Sequence, residues 1–366
     1  MKTTTKKIPE VTETFTYRSI KDTPNNLKQI LEMESRIEEI AGKIKNLNPK
    51  KIYFTGNGSS FHASEYAEFL FNNFVKIPTI AKTSLDYVYY TEGIELGSVT
   101  FIISVSGSKG DATAIAKKAC DKGSYVVAIT NTPGSELVKM ADESFVIPSG
   151  KAESFINTKG YMAQLFVISL LVKHLSNNDS ENFNRFVSEI YALPDKMRES
   201  FKSEPKIKEL IALEKDKNIL VFSGKGPSKV VSDQTALKLR ETAWTIKHSE
   251  SIPIDEIPHG RLFCLGDEGT LFILMVSGET AKDKVEKVSS LIEKTGAHTI
   301  AFCDTCYSFR HNVTLPKTHE YLFPILAQAV SYLWVCYMND ARGLNIDEPR
   351  NVEMVDKFLQ EKEAKA

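Results

Sequence analysis

Two short segments carry the residue types that hold an anion. Gly56-Asn57-Gly58-Ser59-Ser60 and Ser104-Val105-Ser106-Gly107-Ser108-Lys109 combine glycines with clustered hydroxyls. Small residues let a backbone approach an anion closely, and serine hydroxyls with the free amides of a helix N-terminus supply donors for phosphate oxygens. The same residue types also cap helices and turn chains. For either segment alone that structural reading weighs at least as much; two such segments in one half of the chain tip the balance toward phosphate. Neither has the GxxxxGK[ST] spacing of a P-loop or the GxGxxG dinucleotide fingerprint, so no nucleotide cofactor is indicated.

The flanking residues show what must position these segments. An apolar run at 52–54 precedes the first and an amphipathic helical pattern at 61–74 follows it. The second lies between a buried-type strand at 99–104 and a helical pattern at 111–122, and further strands are expected at 125–130 and 145–147. Strand, glycine turn, helix is the unit of a parallel sheet. The order then returns: strand 218–222, turn 223–228, helix 230–244, strand 271–276, turn 277–280, helix 281–294 and strand 298–303. We read this as an internal duplication. Sheets of this kind bind ligands outside the carboxyl ends of their strands, where these turns sit. In the second half, Glu279 would repel a phosphate, so one anion site is expected, in the first half. The segment Tyr87-Val88-Tyr89-Tyr90 reads as a packed loop or strand, with a pocket wall as the alternative.

The bulk properties restrict the function classes. The chain has 366 residues, a formal net charge of -1 and 42% hydrophobic residues, ordinary for two globular domains. Near-zero charge gives no global attraction to nucleic acid or membrane. No run is long enough to span a bilayer, and the basic start lacks the apolar stretch of a secretory signal. Five unevenly spaced cysteines fit a reducing cytosol rather than a disulfide framework. Cys303 and Cys306 form a lone CxxC, expected to be two buried thiols after a strand.

Several motifs together resemble the sugar isomerase (SIS) domain. They are Gly58-Ser59-Ser60-Phe61-His62-Ala63, Ile103-Ser104-Val105-Ser106-Gly107, Asn131-Thr132-Pro133-Gly134-Ser135, Thr158-Lys159, Ala236-Leu237-Lys238-Leu239-Arg240-Glu241, Pro258-His259-Gly260 and Asp347-Glu348-Pro349-Arg350-Asn351. In this order they resemble the tandem-SIS isomerase half of glucosamine-6-phosphate synthase and its stand-alone deaminase relatives. The resemblance implies an α/β fold of two SIS domains, each a mostly parallel sheet flanked by helices in a flavodoxin-like three-layer sandwich. It divides the chain into an N-terminal helical segment (1–45), a first SIS domain (46–180), a helical linker (181–205), a second SIS domain (206–340) and a tail (341–366). Ser60, Ser104 and Ser106 would hold the sugar phosphate, with Gly58, Ser59, Lys109 and Thr158 in the binding set. Glu241 would be the base, Lys238 its assistant, and His259 the ring-opening group, often supplied across a dimer interface. A homodimer, a cytoplasmic location and no metal or cofactor follow from the same resemblance.

Departures from the pattern shape the expected reaction. Val105 replaces a usual glutamine and Lys109 a usual threonine. Residue 2 is Lys2 and the first cysteine is Cys120, so a glutaminase with an N-terminal cysteine is not expected. Met354 stands where the synthases place a Schiff-base lysine, and a thioether forms no imine; Lys357 lies one helical turn on. The expectation is an amino-sugar-6-phosphate deaminase/isomerase converting glucosamine 6-phosphate to fructose 6-phosphate and ammonia, or the reverse. A fructosamine-6-phosphate deglycase and a non-catalytic sugar-phosphate-binding protein are the alternatives.

Overall fold

The structure is a computed structural model that describes residues 8–108, 110–150, 155–355 and 357–358. The first sheet contains β1 (Ile52–Gly56), β2 (Thr79–Thr83), β3 (Val99–Ser104), β4 (Tyr125–Thr130) and β5 (Glu143–Val146). Its order is β2-β1-β3-β4-β5, and every pairing is parallel. The second sheet contains β6 (Ile219–Gly224), β7 (His248–Pro253), β8 (Thr270–Val276), β9 (His298–Cys303) and β10 (His311–Thr314). Read from its β7 edge the order is β7-β6-β8-β9-β10, again all parallel and the same as the first. These are two flavodoxin-like sheets.

Helices cover both sheets. Before and within the first lobe come α1 (Phe15–Glu32), α2 (Glu34–Leu47), α3 (Ser59–Leu70), α4 (Ser84–Tyr90), α5 (Asp111–Asp121), α6 (Glu136–Met140) and α7 (Lys159–Leu175). Then α8 (Glu181–Ile190), α9 (Leu193–Ser200) and α10 (Glu204–Glu214) lead into the second lobe. There follow α11 (Lys229–Thr242), α12 (Arg261–Leu265), α13 (Lys282–Lys294) and α14 (Phe323–Ala341). Covered on both faces, the central strands are apolar along their whole length, as β8 is at Leu271, Phe272, Ile273, Leu274 and Met275. The helices α7 and α14 are apolar on nearly every side and buried on nearly every side, one beneath each sheet. One hydrophobic core runs from Phe54, Phe101 and Phe166 through Phe222 to Trp334, joining the two lobes. No described helix is long and apolar enough to cross a membrane.

Three local expectations are corrected. The helix expected over 61–74 is α3, which starts two residues earlier and gives way to a wider π-helical turn at Phe71–Val75. The segment 87–90 is neither loop nor strand but the end of α4: Thr83 caps it by accepting from Asp86 N, and Tyr87 is buried with its hydroxyl 2.8 Å from Thr100 Oγ1. Only one thiol of the CxxC is buried, because Cys303 ends β9 while Cys306 lies exposed in the loop beyond it.

Candidate active site

The chain passes from β1 to β2 on one side and then crosses to β3 on the other. The loops after β1 and β3 therefore diverge at the switch point of the sheet. Gly56 ends β1, and a Cβ there would lie 2.6 Å from Ser60 Cβ and 2.9 Å from Ile103 O. Only glycine lets α3 start this close to the strands. Gly58 has φ +53°, the left-handed turn that carries the chain into α3. Ser59 and Ser60 then occupy the first helical turn, where Ser60 N donates to Asn57 O (3.1 Å) and Phe61 N to Gly58 O (3.0 Å).

The second loop is held from below. Asn131 N, Thr130 Oγ1 and Thr132 Oγ1 all donate to Val105 O, and Leu137 N donates to Gly107 O. Gly107 (φ +56°) sits where a Cβ would strike Ser135 Oγ at 2.3 Å. Ser104 Oγ accepts from Gly107 N at 3.1 Å, and the Ser106 and Ser108 hydroxyls are 2.8 Å apart. Asn57 Nδ2 donates to Asp111 Oδ2 at the start of α5 (2.7 Å), tying the first loop to the second. Thr158 is placed differently: it is buried, and its hydroxyl donates to Ser19 Oγ of α1 at 3.2 Å. Lys109 lies outside the described residues.

The carboxylate comes from α11. Lys238 Nζ donates to both oxygens of Glu241, at 2.8 and 3.1 Å, with Lys238 only 5% exposed and Glu241 22% exposed. The helix is fixed in rotation by α14, through Thr235 Oγ1 to Ser331 Oγ (3.0 Å) and Asn339 Nδ2 to Thr242 Oγ1 (2.9 Å). Gln234, Lys238 and Glu241 are spaced i, i+4, i+7 and so share one face. That face meets the first lobe: Gln234 Nε2 donates to Ser59 Oγ at 2.9 Å, and His62 Nδ1 is 2.8 Å from Gln234 Oε1. Burial pulls the His62 pKa below its ordinary value, with Lys229 and Lys238 among the charges adding to the effect. The serine turn and the Lys238–Glu241 pair thus lie along one seam between the lobes. Gln234 and His62 escaped the sequence reading. The signal for Gln234 was its helical spacing from Lys238 and Glu241.

Near the start of α11, Lys229 Nζ pairs with Asp233 (2.5 Å) and Glu65 (3.3 Å). His62, Glu65 and Asp233 bring ligand atoms within 4.8 Å of one another, the spacing of a metal site, but the Lys229 ammonium already bonds to both carboxylates.

His259 is not joined to Glu241. It ends the short 3-10 helix Ile254–His259 after β7, is exposed, and has no hydrogen-bond partner among the described residues. Beside it, Arg261 Nε pairs with Glu250 (2.7 Å) and Phe263 is 89% exposed. Met354 and Lys357 are exposed too.

The switch point of the second lobe is filled from within. Lys225 Nζ donates to Ser277 O (2.6 Å) and Thr280 O (2.5 Å) and pairs with Glu320 (3.1 Å). Asp304, whose carboxyl burial raises above its ordinary pKa, accepts from Gly278 N at 3.0 Å. A resident lysine and two carboxylates leave no place there for a phosphate.

Residues 47–174 match the SIS domain family. The glutamine–fructose-6-phosphate aminotransferase (isomerizing) of Pyrococcus horikoshii is 30% identical over 343 residues, covering 89% of this chain and 56% of that protein. Its counterpart from Caldanaerobacter subterraneus subsp. tengcongensis is 27% identical over 312 residues, 83% of this chain and 51% of that one. The chain therefore spans about half the length of these relatives. In fold it is similar to the C-terminal domain of glucosamine-fructose-6-phosphate aminotransferase from Francisella tularensis, with TM-score 0.81, 20% identity and coverage of 93% and 100%. It is also similar to glucosamine-6-phosphate deaminase from Thermotoga maritima, with TM-score 0.73, 20% identity and coverage of 92% and 97%. Residues 47–174 thus carry a SIS domain, and the chain as a whole is related to the aminotransferases named above and shares its fold with the deaminase.

Proposed function

We propose that the chain is an isomerase/deaminase of an amino-sugar phosphate, with glucosamine 6-phosphate and fructose 6-phosphate plus ammonia as its substrate pair. The observation that carries this reading is the Gln234–Ser59 hydrogen bond, which sets the serine turn and the Lys238–Glu241 pair on one seam. Seven residues of helix separate Gln234 from Glu241, about 10 Å along the axis, a span suited to an open-chain hexose phosphate.

In this reading Ser59, Ser60, Ser104 and Ser106 hold the phosphate, and the first-turn amides of α3 add partial positive charge. His259 moves a proton between the ring oxygen and the anomeric hydroxyl to open the pyranose. Glu241, held by two Lys238 N–H bonds, takes the proton from carbon 2 of the open-chain aldose. The electrons left behind form the carbon 1–carbon 2 double bond of a cis-enolamine as the carbonyl oxygen gains a proton. Return of the proton to carbon 1 leaves an imine at carbon 2; water adds there and ammonia departs, giving the ketose. His259 is exposed on the chain that carries it, which supports a homodimer in which it serves the partner's site.

An assay of ammonia and ketose phosphate with glucosamine 6-phosphate tests the reading, with fructosamine 6-phosphates as a parallel panel. Release of both products is the expected result. Turnover of fructosamine phosphates alone would make the chain a deglycase, and binding without any turnover would make it a sensor.

A further inference from the structure

Gln234 uses its amide to join the two lobes. It is 0% exposed, donates from Nε2 to Ser59 Oγ (2.9 Å) and Tyr332 OH (2.8 Å), and bonds through Oε1 to His62 Nδ1 (2.8 Å). Ser59 and His62 belong to α3 of the first lobe, and Tyr332 to α14 of the second.

We infer that Gln234 is a positioning residue of the sugar site, orienting the Ser59 hydroxyl proton toward the substrate; this rests on the sugar-phosphate reading above. A hydroxyl has one proton to donate and two lone pairs to accept with. Because Gln234 donates to both oxygens, neither Ser59 nor Tyr332 gives its proton to Gln234, and neither has another hydrogen-bond partner among the described residues. Ser59 stands in the first turn of α3 at the phosphate end. Tyr332, itself only 1% exposed, anchors the same amide nitrogen to α14. His62 Nδ1 faces Oε1 at 2.8 Å, and the tautomer that carries its proton on Nδ1 fixes which way the amide faces. A glutamate in the same place would accept from both hydroxyls and turn their protons inward. A leucine would leave three polar groups without partners. Among side chains of this shape, only an amide leaves the Ser59 proton free for a ligand.

The test is equilibrium binding of fructose 6-phosphate to the full chain, which needs no turnover. The variants are Gln234→Glu, Ser59→Ala and the double variant, each measured relative to wild type at several pH values. Q234E is expected to weaken binding about tenfold at pH 8, as the loss of one or two donor bonds allows. The loss should shrink as pH falls toward 5, when the new carboxyl takes up a proton and regains a donor. S59A should weaken binding about as much at every pH, and the double variant should bind no worse than S59A at the phosphate end. Wild-type affinity in Q234E at all pH values would overturn the inference, as would a pH-independent loss that multiplies with that of S59A. Should Q234E not fold, unchanged binding by S59A alone would overturn it. Wild-type binding without turnover would remove the deaminase reading and leave this inference standing. Absence of fructose 6-phosphate binding by wild type would remove both.

Discussion

Lys225→Met tests whether the second lobe has exchanged ligand binding for internal stability. Lys225 is 8% exposed, and its ammonium bonds to two carbonyls and to Glu320. Methionine keeps the packing of the stem and removes the charge. Breaking a buried pair costs about 3–5 kcal/mol, because the remaining partner is left uncompensated. Glu320 is 23% exposed, so water can reach it, and Thr280 Oγ1 still donates to it at 2.9 Å. Solvent screening therefore places the cost at the low end, about 3 kcal/mol. For a unit of this size that lowers the apparent melting temperature by about 6–12 °C. Calorimetry gives the melting temperature, and steady-state kinetics at a temperature where the variant is folded gives KM. The account expects a large fall in Tm with KM for the sugar phosphate unchanged. A Tm within about 1 °C of wild type would refute the cost worked out here. A several-fold rise in KM would show that the second switch point takes part in binding.

Glu189→Gln should carry a pH signature. Burial alone would raise the Glu189 pKa, but bonds from Lys196, Arg185, Thr318 and the His319 N–H outweigh it and bring the group to about 2. Because the folded value lies below the unfolded one of about 4.3, its contribution is complete above that value and vanishes as pH falls toward 2. The Tm gap between wild type and E189Q should therefore close over that interval, and a gap independent of pH would contradict the assignment. If His259 serves the partner's site, mixing the inactive variants E241Q and H259A after dissociation should restore about a quarter of wild-type activity. Half the dimers are then mixed, and each has one intact site; no recovery on verified subunit exchange would place both residues of a site on one chain.

How much of this was legible beforehand varied with the physics involved. The central strands β1, β3, β4, β6, β8 and β9 announce themselves as short apolar runs, because parallel strands are buried on both faces. The edge strands β2, β7 and β10 did not. Thr79-Ile80-Ala81-Lys82-Thr83 in β2 and His248-Ser249-Glu250-Ser251-Ile252-Pro253 in β7 are half polar, and each is a strand only because a neighbour offers it a ladder. Tyr87-Val88-Tyr89-Tyr90 has strand-like residues yet is helical, since the Thr83 cap and the burial of Tyr87 decide the matter. In the site, the Lys238–Glu241 pairing follows from i, i+3 spacing on a helix. Gln234 could be placed on that face, but what it meets depends on how the lobes dock, which no local pattern carries. The hydroxyl of Thr158 illustrates the same limit: its neighbour Ser19 lies 139 residues away on α1.

The most direct measurement is a crystal structure of the E241Q variant with fructose 6-phosphate bound. The account predicts the phosphate among Ser59, Ser60, Ser104 and Ser106, with carbons 1 and 2 within about 3 Å of the substituted side-chain amide on α11, the reach a proton-transferring group requires. A sugar whose phosphate sits elsewhere, or whose first two carbons point away from α11 in its own chain and in a partner, would contradict it.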